Sequence, residues 1–310
     1  MMAIEHSGHV WSATPTPFTD DMQIDRPSVQ RLVEHHLKLG IDGLFLLGTC
    51  GEGAWMTDEQ RREFVQSVIS TAAGDLKIAV QVTDNSAARV LDNIERAAED
   101  GADMAVIAQP YFFMNDTPGR IVDFYLEAIQ NSPLPVGFYD RGKHSNVYVP
   151  QKILPQIHAQ ENVVMIKDSS RDPNRRDVAL QARQERPDLL LLDGDEFVCA
   201  TYIEAGYDGL LLGGGIFNGF IARQIIEAVH DGDMERANAL QDRMNRLMWD
   251  VYGGKDAPCW LSGQKRLLVE MGIFSTWKSY LNYPLTDECV EAIEKAVQQD
   301  ADILTPWKDA

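Results

Sequence analysis

Three short stretches carry side chains suited to carbonyl chemistry: Gly48-Thr49-Cys50-Gly51-Glu52, Phe138-Tyr139-Asp140 and Val163-Val164-Met165-Ile166-Lys167-Asp168-Ser169-Ser170. Lys167 is the unusual one. Strand alternation puts it on the same face as Val163 and Met165. If that face looks into an apolar interior, desolvation works against the ammonium form, and a neutral amine is what attack on a ketone requires. The competing reading has Lys167 leaving the rim toward water, paired with Asp168. Tyr139 suits a proton relay during collapse of a carbinolamine, or is an ordinary aromatic at a strand end. Thr49 and Cys50, flanked by glycines, offer backbone N–H groups to a carboxylate, or form a plain turn.

Each stretch closes a short apolar run. Eight such runs are read as strands, over 9–16, 43–49, 77–83, 104–108, 135–139, 163–167, 189–193 and 209–213. Many are near-continuous Val, Ile, Leu and Phe, as expected of parallel strands buried on both faces. Between them lie patterns such as TDEQRREFVQSVISTAAG, with apolar residues at three- and four-residue spacing. Thr57 and Ser86 stand as N-caps, and Gly closes such stretches. Eight strand–helix units ending near Asp231 predict an α/β fold, a closed (β/α)₈ TIM barrel over 1–231. Three further helical patterns over 232–310 are read as an extension packed on it, within one structural domain. The breaks in this extension fall at 256–258 and 282–284. An open doubly wound sheet is the rival, but GTCGEG does not fit its G-x-G-x-x-G fingerprint. In a barrel, catalytic residues gather at the C-terminal ends of strands, which is where all three stretches fall.

The 310 residues carry a net charge of −19, which argues against nucleic acid and anionic membranes as partners. Cys50, Cys199, Cys259 and Cys289 have no metal-site or disulfide spacing and read as reduced thiols of a cytoplasmic protein. The opening MMAIEHSGHVWSATPTPF lacks the pattern of a signal peptide, and no apolar run is long enough to span a membrane. His35 and His36, on an amphipathic helix, are read as surface residues rather than metal ligands. Trp249, Trp260 and Trp277 are expected to pack the extension on the barrel.

Taken in order, ATPTPF (13–18), GTCGE (48–52), QPYFF (109–113), FYD (138–140), IKDSS (166–170), DGDE (193–196) and YPLT (283–286) resemble the dihydrodipicolinate synthase / N-acetylneuraminate lyase family of class I Schiff-base enzymes. The resemblance implies that Lys167 forms the Schiff base, Tyr139 relays protons and Thr49 adds a hydroxyl to the relay. The Thr49 and Cys50 turn would bind the carboxylate of a 2-oxo acid, Gly194 would line the site, and Glu196 would bind substrate hydroxyls. Glu196 also reads as a first-turn acid at a helix start. No cofactor and no metal are implied; a homo-oligomer, tetramer or dimer, is.

The departures narrow the substrate. Cys50 replaces the usual Thr or Ser, and Tyr139-Asp140-Arg141-Gly142 replaces Y-N-x-P. His144 stands where synthases carry a carboxylate-binding arginine. Phe112 stands where they carry a relay tyrosine, and Gly213 where sialic-acid lyases carry a serine. Asp140, Arg141, Lys143, His144 and Glu196 are therefore expected at the far end of the substrate. The leading expectation is an aldolase or dehydratase acting on a 2-keto-3-deoxy sugar acid, with pyruvate as product or co-substrate. Its alternatives are a dihydrodipicolinate synthase with an altered site, and a non-catalytic barrel that binds an oxo acid.

Overall fold

A computed structural model describes residues 8–308; the first seven residues, part of the stretch read for a signal peptide, lie outside it. Eight parallel strands run in chain order: β1 (His9–Ala13), β2 (Gly43–Leu46), β3 (Lys77–Gln81), β4 (Met104–Ile107), β5 (Val136–Asp140), β6 (Val163–Asp168), β7 (Leu190–Asp193) and β8 (Gly209–Leu212). They close into a barrel, with Val10 of β1 beside Leu210 of β8. All eight expected strands are present. β1 to β4 end one to three residues earlier than expected, and the residues that follow them belong to the loops at the mouth.

Alternation sorts the strand residues into two apolar layers. Trp11, Phe45, Val106, Tyr139, Met165, Leu192 and Leu211 fill the barrel, while Val10, Leu44, Ile107, Phe138, Ile166, Leu191 and Leu212 face the helices. A Cβ at Gly43 would lie 2.6 Å from the Trp11 ring, so the glycine makes room for an indole crossing the barrel. One expectation is corrected here. Val136 pairs with Val163 but Gly137 pairs with Met165, a bulge that admits one extra β6 residue. It sends Val163 into the outer layer, while Met165 stays inside. Lys167, two residues beyond Met165, faces inward.

The surrounding helices begin where the caps stand. Thr57 opens α2 (Asp58–Ala72) with a reciprocal capping box to Gln60, and Ser86 accepts from the Arg89 amide at the start of α3 (Ala87–Glu99). His35 and His36 of α1 (Arg26–Lys38) are buried, not on the surface. His36 bonds to the Leu32 carbonyl at 2.8 Å and the Ser12 hydroxyl at 2.9 Å, and His35 to the Ile216 carbonyl at 2.8 Å. Helical spacing alone does not say whether a polar side chain has a buried partner waiting on the barrel.

After α8 (Gly215–His230) come α9 (Met234–Tyr252), α10 (Trp260–Glu270), α11 (Asp287–Gln299) and a fourth helix absent from the sequence reading, α12 (Ala301–Leu304). Ala237, Met244, Leu247, Met248 and Val251 of α9 are fully buried. Asp300, also fully buried, accepts from Arg243 and Arg246 and ties α9 to the end of α11. Trp277 is 44% exposed and does not pack the extension. All four cysteines are free and buried. Among the described residues no helix is long and apolar enough to cross a membrane.

Candidate active site

The loop after β2 is strained, and buried charge holds it in place. Leu47 and Glu52 adopt φ of 60° and 56°, a region L-residues rarely occupy. Gly51 fits because a Cβ there would lie 2.8 Å from the Leu47 nitrogen. The fully buried Glu52 carboxylate accepts from the Lys265 ammonium of α10, the Ser279 hydroxyl at 2.8 Å and the Tyr280 amide at 2.6 Å. Thr16 donates to the Gly51 carbonyl at 2.7 Å. The turn carrying Thr49 and Cys50 is thereby fixed to both the barrel and the extension. Burial pushes the Cys50 thiol up to about 12, so its sulfur stays protonated at neutral pH and repels no anion.

Lys167 is buried at the inner end of β6. Its Nζ lies 4.5 Å from the centre of the Tyr139 ring and 4.8 Å from that of Phe45. It forms no ion pair among the described residues. Asp168 points the other way, accepting from the Tyr207 hydroxyl at 3.0 Å and the Ser170 amide at 2.8 Å. The rim pair between Lys167 and Asp168 is therefore absent. Tyr139 meets Phe45 edge-on at 5.8 Å. Its hydroxyl and that of Thr49 share a cavity without hydrogen-bonding to each other. A Cβ at Gly194 would lie 2.9 Å from Lys167 Cε and closer still to the Ser169 hydroxyl, so only glycine leaves room for the lysine.

Glu196 is buried, its carboxylate accepting from the Gly214 amide at 2.7 Å and the Tyr252 hydroxyl at 2.9 Å. Burial raises its pKa against those two bonds. Glu196 precedes α7 (Cys199–Glu204), so the first-turn reading does not apply. Each carboxylate oxygen keeps a lone pair for a further donor.

Thr49, Cys50, Tyr139, Arg141, His144, Lys167, Gly194 and Glu196 all line one cavity of about 580 Å³ at the mouth of the barrel. Asp140 does not. Tyr139 faces in, so Asp140 faces out, where Arg175 of α6 (Pro173–Glu185) grips it through two bonds of 2.8 Å. Lys143 is exposed and outside the cavity as well. The sequence reading missed Arg171, and also Tyr252, Asp256, Trp260 and Tyr283, which the extension brings to the mouth. Trp260 and Tyr283 meet edge-on at 5.4 Å. A signal for two of them was present: Asp256 and Tyr283 lie in the breaks of the extension at 256–258 and 282–284.

The chain matches the Dihydrodipicolinate synthetase family over residues 6–299. A 4-hydroxy-tetrahydrodipicolinate synthase of Chlorobium phaeobacteroides is 25% identical over 236 residues, 76% of this chain and 78% of the relative. An N-acetylneuraminate lyase of Escherichia coli is 26% identical over 277 residues, 88% and 86% of the two chains. Among solved structures, the dihydrodipicolinate synthase of Bacteroides thetaiotaomicron superposes with a TM-score of 0.86 at 28% identity, over 96% of this chain and 99% of that one.

Proposed function

The chain belongs to the dihydrodipicolinate synthetase family, and from that premise we propose that it is a lyase whose Lys167 forms a Schiff base with a 2-keto-3-deoxy sugar acid. The Lys167 amine adds to the C2 carbonyl. Tyr139, with the Thr49 hydroxyl, passes a proton to the resulting carbinolamine oxygen, which leaves as water. The amides of Thr49 and Cys50 hold the carboxylate, and Glu196 accepts from a substrate hydroxyl. The imine then takes up the electron pair of the bond that breaks. In aldol cleavage the C4 hydroxyl loses its proton, the C3–C4 bond breaks and an aldehyde leaves. The enamine is protonated at C3 and hydrolysed to pyruvate. In dehydration a C3 proton is removed and the C4 hydroxyl leaves with a proton as water.

One observation carries this reading: an inward-facing lysine, with no ion pair among the described residues, lies against two aromatic rings and lines a cavity shared with Tyr139 and Thr49. The protein needs no cofactor in this scheme. We place it in the cytoplasm as a homo-oligomer, tetramer or dimer. The exposed Tyr111, Phe112 and Met114 in the loop before α4 (Pro118–Gln130) support self-association.

The test is a panel of 2-oxo acids, with substrate loss measured by chromatography and pyruvate release separating aldol cleavage from dehydration. Five- or six-carbon 2-keto-3-deoxy acids bearing hydroxyls are expected to react faster than unsubstituted 2-oxo acids or N-acetylneuraminate. If no hydroxylated acid reacts, the sugar-acid assignment fails. The relatives also include synthases, so condensation of pyruvate with aspartate semialdehyde is the second assay. Phe112, which cannot relay a proton, and His144, which offers no guanidinium fork, are expected to keep kcat/KM below about 10⁴ M⁻¹s⁻¹.

A further inference from the structure

Two guanidiniums stand on one rim of the cavity because two loops are pressed together. Gly142, after β5, adopts φ +51°, and a Cβ there would lie 2.8 Å from the Cβ of Ser170, after β6. Their neighbours Arg141 and Arg171 both line the cavity. The first loop is built rigidly. Asp140 Oδ1 accepts from the Gly142 amide at 2.9 Å and from Gln109 at 3.2 Å, and Gln109 in turn accepts from the Arg141 amide at 3.3 Å. The buried Asp140–Arg175 pair anchors the set, with Arg175 also donating to the Val149 carbonyl at 2.8 Å. Arg171, itself at φ +56°, pairs with Asp195 at 3.2 Å and stacks 5.8 Å over the Phe197 ring.

Arg141 differs from its neighbours. Its guanidinium has no ion pair and no hydrogen bond among the described residues, in a chain of net charge −19. None of the acids nearby forms an ion pair with it: Asp195 pairs with Arg171, the Glu196 carboxylate is held by Tyr252 and Gly214, and Asp256, brought to the cavity by the extension, lies beyond ion-pair distance. With Asp140 and Lys143 out of the cavity, two guanidiniums remain on its rim, Arg141 and Arg171, and of these only Arg171 has a carboxylate partner.

We propose that Arg141, flanked by Arg171, binds a second carboxylate at the far end of the substrate, so that the preferred 2-oxo acid is a dicarboxylic one. This rests on the reading that Lys167 and the Thr49 and Cys50 turn hold the 2-oxo acid end. One uncommitted guanidinium matches a monoanion, and its planar fork fits a carboxylate through two parallel bonds. A dianionic phosphate would leave a charge uncompensated.

The experiment compares, by calorimetry, the binding of 2-oxoadipate and 2-oxohexanoate, which have the same carbon count and differ in the distal carboxylate. The wild-type protein is expected to bind 2-oxoadipate at least tenfold more tightly. Arg141→Met should bring that ratio to within twofold, and Arg141→Lys should restore part of it. A wild-type ratio near one, or a tenfold ratio surviving in Arg141→Met, overturns the subsite. If Arg141→Met binds neither acid, Arg141→Lys decides: a retained preference supports the subsite and its loss overturns it. Borohydride trapping of pyruvate on the same wild-type preparation separates the two claims. Trapping without a binding preference sinks the subsite alone; a preference without trapping sinks the Schiff-base reading alone.

Discussion

At the scale of single residues, Tyr139 has one task in the proposed mechanism that its ring alone does not perform. The ring packs against Phe45 and Lys167, so Tyr139→Phe leaves that packing in place and removes only the hydroxyl. Turnover is expected to fall about a hundredfold or more while the thermal midpoint moves little, which a rate assay and a melt on one sample would read. Near-normal turnover would show that water or another group carries the proton. Thr49 and Cys50 are legible in the sequence because glycines flank them in the turn after β2, and Lys167 and Tyr139 because each lies at the end of a strand, where alternation decides which way a side chain points. The same rule turns Asp140 outward once Tyr139 faces in. What it does not reveal is Arg175, which lies 35 residues further on. The Val163–Met165 bulge also has no local signal, and it breaks simple counting within the very strand that carries Lys167.

At the scale of elements, strands were readable and docking was not. A run of Val, Ile and Leu marks a buried strand by composition, whereas the burial of His36 depends on Ser12 of β1 meeting it. That burial makes a pH prediction. Desolvation depresses the His36 pKa from 6.5 to about 3. Above pH 6.5 the imidazole is neutral in both folded and unfolded chains. As pH falls below 6.5 the unfolded chain takes up a proton that the folded one refuses until about pH 3, so stability is lost with acidification. The slope is about 1.4 kcal/mol per pH unit from this one group. His36→Asn is expected to be less stable at pH 7.5, but its stability should fall less steeply than that of the wild type between pH 6.5 and 5. Urea unfolding at several pH values measures the difference, and parallel slopes would contradict it.

At the scale of the whole molecule, we propose that the barrel and its extension form one structural domain. α9 lays a fully buried apolar face on its neighbours, Lys265 of α10 pairs with Glu52 beside the turn carrying Thr49 and Cys50, and Tyr252, Trp260 and Tyr283 wall the cavity. Removing the extension would expose that face and strand a buried carboxylate, a change that costs several kcal/mol when one partner of such a pair is lost. A chain ending at residue 231 is therefore expected to aggregate rather than yield a cooperatively folding barrel. A soluble, cooperatively melting product by circular dichroism would show instead that the barrel stands alone. Local periodicity identifies the extension as helical but not where it lands, because its contacts join residues more than two hundred positions apart, as Glu52 and Lys265 are.

The central claim is that Lys167 is the covalent nucleophile. Incubation with pyruvate and borohydride, followed by peptide mass spectrometry, should locate the reduced adduct on the peptide containing Lys167, and Lys167→Ala should remain folded and take up none. An adduct on another lysine, or no adduct on the wild-type chain, would contradict it.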